Sequence, residues 1–330
     1  MSINLGNNQN WLIHTSSLAS CLKKINQNAE QTLKSTGKFP KQNGQLLFYS
    51  GKRKYKENYF NLGTEIYNPK KENDDEELLG IAVLNLRGTL FKESYFDWYS
   101  CQWVEGTQII NEKLHLLGND PEVLGVMIKV DSSGGAANGA ETLANTIYNF
   151  KSNYKKPIWA YIDGSAYSAA YKIIAGCDMI ILSGESSSVG SIGTMVQFYD
   201  DKKYLENLGI EPVEIYATLS KNKNKAWRDM QDGKTLEIIK ELDKLNNIFI
   251  NHVVKSRGAK MGIPSQATDY NVDNAPEQIT GQTYMGNEAI QAGLADEIAT
   301  EEYTLAKMFK KLDKTKNTES IFALSFPIIL

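Results

Sequence analysis

Residues 123–150 read VLGVMIKVDSSGGAANGAETLANTIYNF, and this stretch decides the fold. Val123 to Val130 is a nearly unbroken apolar run of strand length, the pattern of a strand buried on both faces. Asp131-Ser132-Ser133-Gly134-Gly135 interrupts it with turn-forming residues. Ala140, Leu143, Ile147 and Phe150 then fall on one face of a helix. A buried strand passing through a Gly-rich break into an amphipathic helix is the repeating unit of an α/β domain.

The same alternation continues on both sides. Leu79 to Leu86 reads as a strand ending at Arg87-Gly88, and residues 104–117 suggest a helix. Pro157 to Ile162 is a third strand, stopped by Asp163-Gly164. Ala166 to Ala175 reads as a small-residue helix and Met179 to Leu182 as a fourth strand. Further on, Lys202 to Leu208 is helical and Pro212 to Ala217 extended. A long helix then carries Leu236, Ile239, Leu242, Leu245, Phe249 and Val253 on one face, and Ala289 to Gly293 closes a helix before Leu294 to Ile298. The expected organisation is an N-terminal accessory segment and linker over 1–78, an α/β domain over 79–300, and a C-terminal helix and apolar tail over 301–330. Within the first of these, Ser16 to Leu33 patterns as an amphipathic helix, Gly44 to Ser50 as a short strand, and the mixed charges of 68–77 as a linker. The tail Ile321 to Leu330 is strongly apolar but too short to span a bilayer.

Composition narrows the function classes. The 330 residues are 42% apolar and 23% charged, the balance of a globular protein, and a net charge of -3 provides no electrostatic basis for nucleic-acid binding. No basic-then-apolar leader opens the chain and no run of about 18 apolar residues occurs in it, so neither a signal peptide nor a transmembrane helix is expected. Cys21, Cys101 and Cys177 are too few for a disulfide framework and none has metal-ligand spacing; the count fits a reducing compartment. Cys177, among small and apolar neighbours, is expected to be a buried thiol.

Two turns could carry chemistry. The adjacent glycines of Asp131–Gly135 allow close backbone approach, and amides opening a helix favour negative charge; such a turn can form an oxyanion hole or simply join a strand to a helix. Gly164-Ser165-Ala166-Tyr167-Ser168-Ala169-Ala170-Tyr171 also sits between a strand and a helix. There Ser168 is either a nucleophile with room beside its hydroxyl or a helix cap. A serine needs a base. None of the three histidines, His14, His115 and His252, lies next to either turn, which weakens a Ser-His-Asp reading. The other choice is a desolvated, neutral lysine from Ser220-Lys221-Asn222-Lys223-Asn224-Lys225, a loop that could equally be solvated surface.

Taken in order, Asp131–Gly135, the Tyr167–Tyr171 turn, Val189-Gly190-Ser191-Ile192-Gly193 and then the lysine loop, the chain resembles the signal-peptide-peptidase-A family of Ser–Lys serine peptidases. Within it, the Ser168-Ala169 pair is similar to the phage prohead (capsid maturation) protease branch. The resemblance covers roughly residues 80–300 and includes Gly286-Asn287-Glu288-Ala289-Ile290 through Gly293-Leu294-Ala295-Asp296-Glu297-Ile298. It implies a ClpP/crotonase-like fold and an acyl-enzyme mechanism with no metal or cofactor. Ser168 falls on the nucleophile and Gly135, with the amide of Ala169, on the oxyanion hole. Ser191 falls near the lysine. Gap-free spacing from Gly209, and back from Arg228-Asp229-Met230, places the base at Lys221. Thr218-Leu219-Ser220 replaces the family's usual glycine before the lysine, so Lys223 stands as the alternative base. The resemblance further implies a homo-oligomer acting on polypeptides such as scaffold, capsid or portal proteins in the host cytoplasm or prohead, without nucleic-acid or membrane partners. A cellular signal-peptide-peptidase-like protease and an inactive assembly component are the rival expectations.

Overall fold

The computed structural model describes residues 65–67, 80–97, 101–197, 202–211, 213–264, 270–271 and 273–313. The helix expected at Ser16–Leu33, the strand at Gly44–Ser50, the linker at 68–77 and the apolar tail lie outside the described residues.

The strands are β1 (Glu65–Tyr67), β2 (Gly80–Leu90), β3 (Tyr95–Asp97), β4 (Gln102–Val104), β5 (Val123–Gly135), β6 (Ile158–Tyr167), β7 (Met179–Leu182), β8 (Ser188–Gly190), β9 (Thr283–Met285) and β10 (Glu297–Ile298). The helices are α1 (Thr107–Asn119), α2 (Ala137–Tyr154), α3 (Ala169–Ile174), α4 (Lys202–Asn207), α5 (Lys225–Gln231), α6 (Leu236–Met261), α7 (Gly286–Gln291) and α8 (Glu301–Asp313). The main sheet runs β1-β2-β5-β6-β7-β10, with β8 pairing β6 and β9 pairing β8. From β2 to β10 this path is parallel; β1 joins β2, and β9 joins β8, antiparallel. The mixed α/β architecture expected from the sequence is therefore present.

Residues alternate between the two sides of the sheet, and both sides are covered. Ala82, Leu84, Leu86, Val126, Ile128, Ile158 and Ala160 belong to the larger core, together with apolar residues of α1, α2, α3 and α6. Ile81, Val83, Met127, Trp159 and Tyr161 form a second cluster with Leu305, Met308 and Phe309 of α8. Double-sided burial explains why β2 and β5 read as continuous apolar runs. Cys177 is buried, as its neighbours suggested, and burial pushes its thiol up, away from the reactive thiolate.

Several boundaries move from their sequence positions. β5 does not stop at Val130 but continues through Gly135, because Thr89 and Leu90 of β2 pair with Gly134 and Gly135. β6 likewise continues through Ala166 and Tyr167, where helix was expected, because Ser165, Ala166 and Tyr167 pair with Ser188, Val189 and Gly190. α6 buries Phe249 and Val253 as expected, whereas Leu236, Ile239 and Leu245 in its N-terminal half are exposed. Val213–Ala217 forms no regular element.

A buried ion pair fastens α6 to the loop before β10. Arg257 is 2% exposed; its Nη1 and Nη2 donate to the two carboxylate oxygens of Asp296, each at 3.1 Å. Its Nε and Nη2 also donate to Gly293 O at 3.1 and 2.9 Å. Asp296 Oδ2 accepts the Ile180 N–H at 2.8 Å, which ties the loop to β7. Burial pushes the Asp296 carboxyl up, but the bonds and charge of Arg257, aided by Lys260, outweigh it and hold it below the usual carboxylate range. A carboxyl depressed in the folded state stabilises fully above its unfolded value, about 3.9, and that stabilisation is lost as pH falls through the folded value. Thermal unfolding at neutral pH should show Arg257→Met destabilised by about 3–5 kcal/mol, because Asp296 is left buried and unpaired. Asp296→Asn should flatten the acid limb of stability below about pH 4; an unchanged acid limb would remove Asp296 from the account.

Candidate active site

The strands β5, β6 and β8 end at one corner of the sheet, and left-handed backbone concentrates there. Gly134 has φ 100°, Gly164 φ 126°, Ser168 φ 50°, Gly190 φ 113° and Ser191 φ 52°. Glycine reaches this region freely; serine does not. Ser168, at φ 50° and ψ -120°, joins the end of β6 to the start of α3, and its hydroxyl makes no capping bond to that helix. A side chain held in so sparsely populated a conformation costs roughly 1–3 kcal/mol, supplied by surrounding contacts.

Those contacts come from both neighbouring strands. The Ser168 N–H donates to Gly190 O at 2.9 Å, and its carbonyl accepts the Lys172 N–H at 3.0 Å. On the other side lies Gly134. A Cβ there would stand 2.8 Å from Ser168 Cβ, 2.8 Å from Tyr167 O and 3.1 Å from Ala169 N. Glycine at 134 is therefore required twice, by its φ and by the serine pressed against it. The Gly134 amide donates to the buried Ser132 hydroxyl at 3.1 Å, and that hydroxyl donates to Gly88 O at 2.5 Å. Gly134 is buried and Gly135 exposed, which leaves the Gly135 amide as the candidate donor from this strand end. Gly135 is itself confined, since a Cβ would lie 2.0 Å from Leu90 O. The amide of Ala169, the first residue of α3, belongs to the helix-opening donors that have no partner within the helix.

Ser168, Ala169 and the Gly134–Gly135 pair thus meet in space. Gly190 and Ser191 adjoin them through the β6–β8 pairing, and the Ser191 N–H donates to Gln282 O at 2.6 Å. Ser188 of the same strand bonds the hydroxyl of Tyr167, the residue before Ser168. The lysine loop is placed differently. Lys221 follows a single 3₁₀ turn, Thr218–Ser220, and both Lys221 and Lys223 are exposed. Among the described residues, no hydrogen bond or ion pair involves either amine or joins it to Ser168 or Ser191. Instead Arg228 organises the loop: its guanidinium donates to Lys223 O at 2.5 Å and Lys221 O at 3.0 Å, and stacks over the Tyr216 ring at 4.3 Å. His252 lies on α6, and burial and then the Lys172 ammonium push its imidazole down to about 4. It is neutral at pH 7.

Sequence reasoning missed Gly134, Ser132 and Arg228. The adjacent glycines were a signal for Gly134, but which one touches the serine depends on strand register. Ser132 and Arg228 gain their roles from a single donated bond or pair of bonds that no spacing reveals.

The sequence model of "Peptidase family S49" matches residues 151–315 of the chain, which include Ser168, Ser191 and the lysine loop. Among curated proteins, a Methanocaldococcus jannaschii protein named as a protease is 27% identical over 237 residues, covering 70% of this chain and 71% of its own. The capsid assembly protease C of Escherichia phage lambda is 26% identical over 250 residues, covering 76% of this chain and 53% of its own; the chain thus spans about half the length of that relative. A solved structure of a membrane-bound stomatin-specific protease aligns over 68% of this chain and 82% of its own, with 15% identity and a TM-score of 0.40.

The contact between Gly134 and Ser168 makes a direct test. Gly134→Ala should lower the melting temperature and slow labelling of Ser168 by a fluorophosphonate by about tenfold or more, since small displacements at a reacting group cost that much. Gly184→Ala, where nothing lies within 4 Å of the added Cβ, should change neither. Equal behaviour of the two variants would show that the strained corner does not control the serine.

Proposed function

The chain belongs to peptidase family S49, and from that premise we propose that it is a serine endopeptidase working through a Ser168–Lys221 dyad. The observation that carries this reading is the backbone of Ser168, at φ 50° and ψ -120° on a strand-to-helix corner pressed against Gly134. Ser168 stands between a strand and a helix, close to the strand-end amide of Gly135 and the helix-opening amide of Ala169, the donors this reading assigns to the oxyanion. Neutral Lys221 takes the proton from Ser168 as the hydroxyl attacks a peptide carbonyl. The amides of Gly135 and Ala169 hold the developing oxyanion. The ammonium then protonates the leaving amine, and water repeats the sequence on the acyl-enzyme. Ser191 orients the lysine. Lys223 is the alternative base.

In one chain the lysine loop is exposed, so the dyad needs a further surface to exclude water from the amine. We assign that surface to other copies of the chain. Val213, Ile215 and Leu219 flank the loop at 77%, 90% and 97% exposure, and Leu236 and Ile239 of α6 are exposed as well. Apolar exposure of this extent is what an interaction face provides. The substrates are extended polypeptides added as a strand beside the sheet corner. Likeness to a phage capsid assembly protease favours scaffold or capsid proteins as the natural substrate. Likeness to the archaeal protease supports, as second reading, a cellular peptidase that degrades peptides. No described helix is long and apolar enough to cross a membrane.

Casein cleavage and self-cleavage, followed by mass spectrometry, test the dyad. Ser168→Ala and Lys221→Ala should each reduce cleavage by about 10⁴-fold or more, while Lys223→Ala stays within about threefold of wild type. Wild-type rates in both of the first two variants would overturn the mechanism; loss in Lys223→Ala alone would move the base to Lys223. Because the amine must be deprotonated to act, kcat/KM should climb toward alkaline pH, and a flat profile from about pH 5 to 9 would exclude a lysine base. Leu219→Asp with Ile215→Asp should yield smaller particles by light scattering and lose activity with them. An active monomer would contradict the assembly requirement.

A further inference from the structure

The helix that begins at the nucleophile is apolar except for one residue. α3 reads AAYKII, and every residue in it is buried. Lys172 is 6% exposed, four residues after Ser168, so it stands one turn up the helix from the nucleophile. A lysine is almost never buried without a partner. Its partner is Glu141, whose Oε2 lies 3.0 Å from Lys172 Nζ. Glu141 belongs to α2, the helix that opens directly after Gly135, with Ala136 as its N-cap. The ion pair therefore joins the helix that opens with Ala169 to the helix that opens two residues after Gly135.

Among the described residues, no other hydrogen bond or ion pair joins α2 to α3. Ala140, Leu143, Ala144 and Ile147 of α2 and Ala170 and Ile173 of α3 are small or apolar residues buried in the same core. The Ser168 N–H bond to Gly190 O and the Tyr171 hydroxyl bond to Leu294 O tie α3 to β8 and to the loop before β10, and the ion pair at 3.0 Å is what ties it to α2. Oxyanion donors are effective only within a few tenths of an ångström of their target, so the register of α3 against α2 sets whether Gly135 and Ala169 converge. Glu141 is half exposed, so its carboxylate keeps solvent on one side and the pair avoids the full desolvation penalty of a buried ion pair. Around it stand His252 of α6, whose ring packs edge-on against Tyr148 at 6.1 Å, and Lys255, whose amine lies 4.5 Å over the same ring.

We propose that Lys172 and Glu141 are positioning residues for the oxyanion hole, an ion pair across α2 and α3 that holds the Ala169 amide in register with that of Gly135. This rests on the reading of Ser168 as nucleophile and of the two amides as oxyanion donors. Neither side chain touches substrate. Their effect is on the transition state, through the convergence of two backbone donors.

The test uses the full-length chain. Glu141→Gln keeps the shape and the half-exposed position but removes the charge; Lys172→Met keeps the length and fills the same volume. Each should lower kcat by about tenfold, a fraction of the loss from deleting a whole oxyanion donor, with KM within about twofold. Affinity for a peptide aldehyde, which forms a tetrahedral adduct on the serine, should fall by the same factor as kcat. Affinity of the Ser168→Ala protein for the parent peptide, which makes no adduct, should be unaffected by Glu141→Gln. The reversed pair, Glu141→Lys with Lys172→Glu, should recover part of the lost kcat. The proposal is overturned if both single variants keep wild-type kcat. It is equally overturned if the aldehyde and the parent peptide weaken by the same factor, or if kcat falls only in step with a loss of folded protein by thermal unfolding. Failure of the underlying reading looks different: the wild-type protein would then form no aldehyde adduct at Ser168.

Discussion

The site depends on one steric constraint, the contact between Gly134 and Ser168. The serine takes a left-handed backbone that an L-residue rarely adopts; on one side the Gly190 carbonyl accepts its N–H, and on the other Gly134 lies so near that no Cβ would fit between them. Everything else at the corner follows from that clamp. β6 must switch partners, pairing with β7 through Ile162 and with β8 from Ser165 onward, so that Gly190 arrives beside Ser168. β5 must extend through Gly135, so that Gly134 arrives on the other side. The partner switch is accommodated at Asp163-Gly164, where Gly164 has φ 126° and packs against the Asp131 carboxylate. Strain stored at the serine is thus balanced by a sheet buried on both faces.

The helices that leave this corner are anchored independently of it. Tyr171 of α3 donates from its hydroxyl to Leu294 O at 3.0 Å, and the same loop is gripped by Arg257 through Gly293 and Asp296. Lys172 fixes α3 to α2 on its other side. The helix after Ser168, only six residues long, is consequently held by its neighbours rather than by its own hydrogen bonds. Among the described residues, no hydrogen bond or ion pair ties the lysine loop to the core. Arg228 folds it on itself, and its apolar flanks face outward, which is why the proposed base is assigned to an assembled rather than an isolated chain.

Much of the fold was legible because its signals are local. Val123 to Val130 and Met179 to Leu182 are strands by composition and length, and Leu143, Ile147 and Phe150 mark their helix by period. What pairing alone decides was not legible. Asp131–Gly135 reads as a turn yet lies in β5, because Thr89 and Leu90, more than forty positions earlier, complete its ladder. Ala166 and Tyr167 read as helix yet extend β6, because β8 arrives to pair with them. At the site, the small neighbours of Ser168 and the order of motifs single it out in the sequence. Its strained φ, the choice of Gly134 as the glycine against it, and the burial of Lys172 are tertiary facts. A lysine in sequence suggests solvent; only the placement of Glu141 allows it to be buried. The α6 pattern of Leu236, Ile239 and Leu245 is an apolar face whose N-terminal half is exposed rather than buried in the core.

The nucleophile is the central claim, and identification of the residue that a fluorophosphonate modifies tests it most directly. Intact-mass and peptide mapping of the labelled wild-type chain should place a single adduct on Ser168, and the Ser168→Ala chain, folded by circular dichroism, should take up none. An adduct on another residue, or equal labelling of the two chains, would contradict the account.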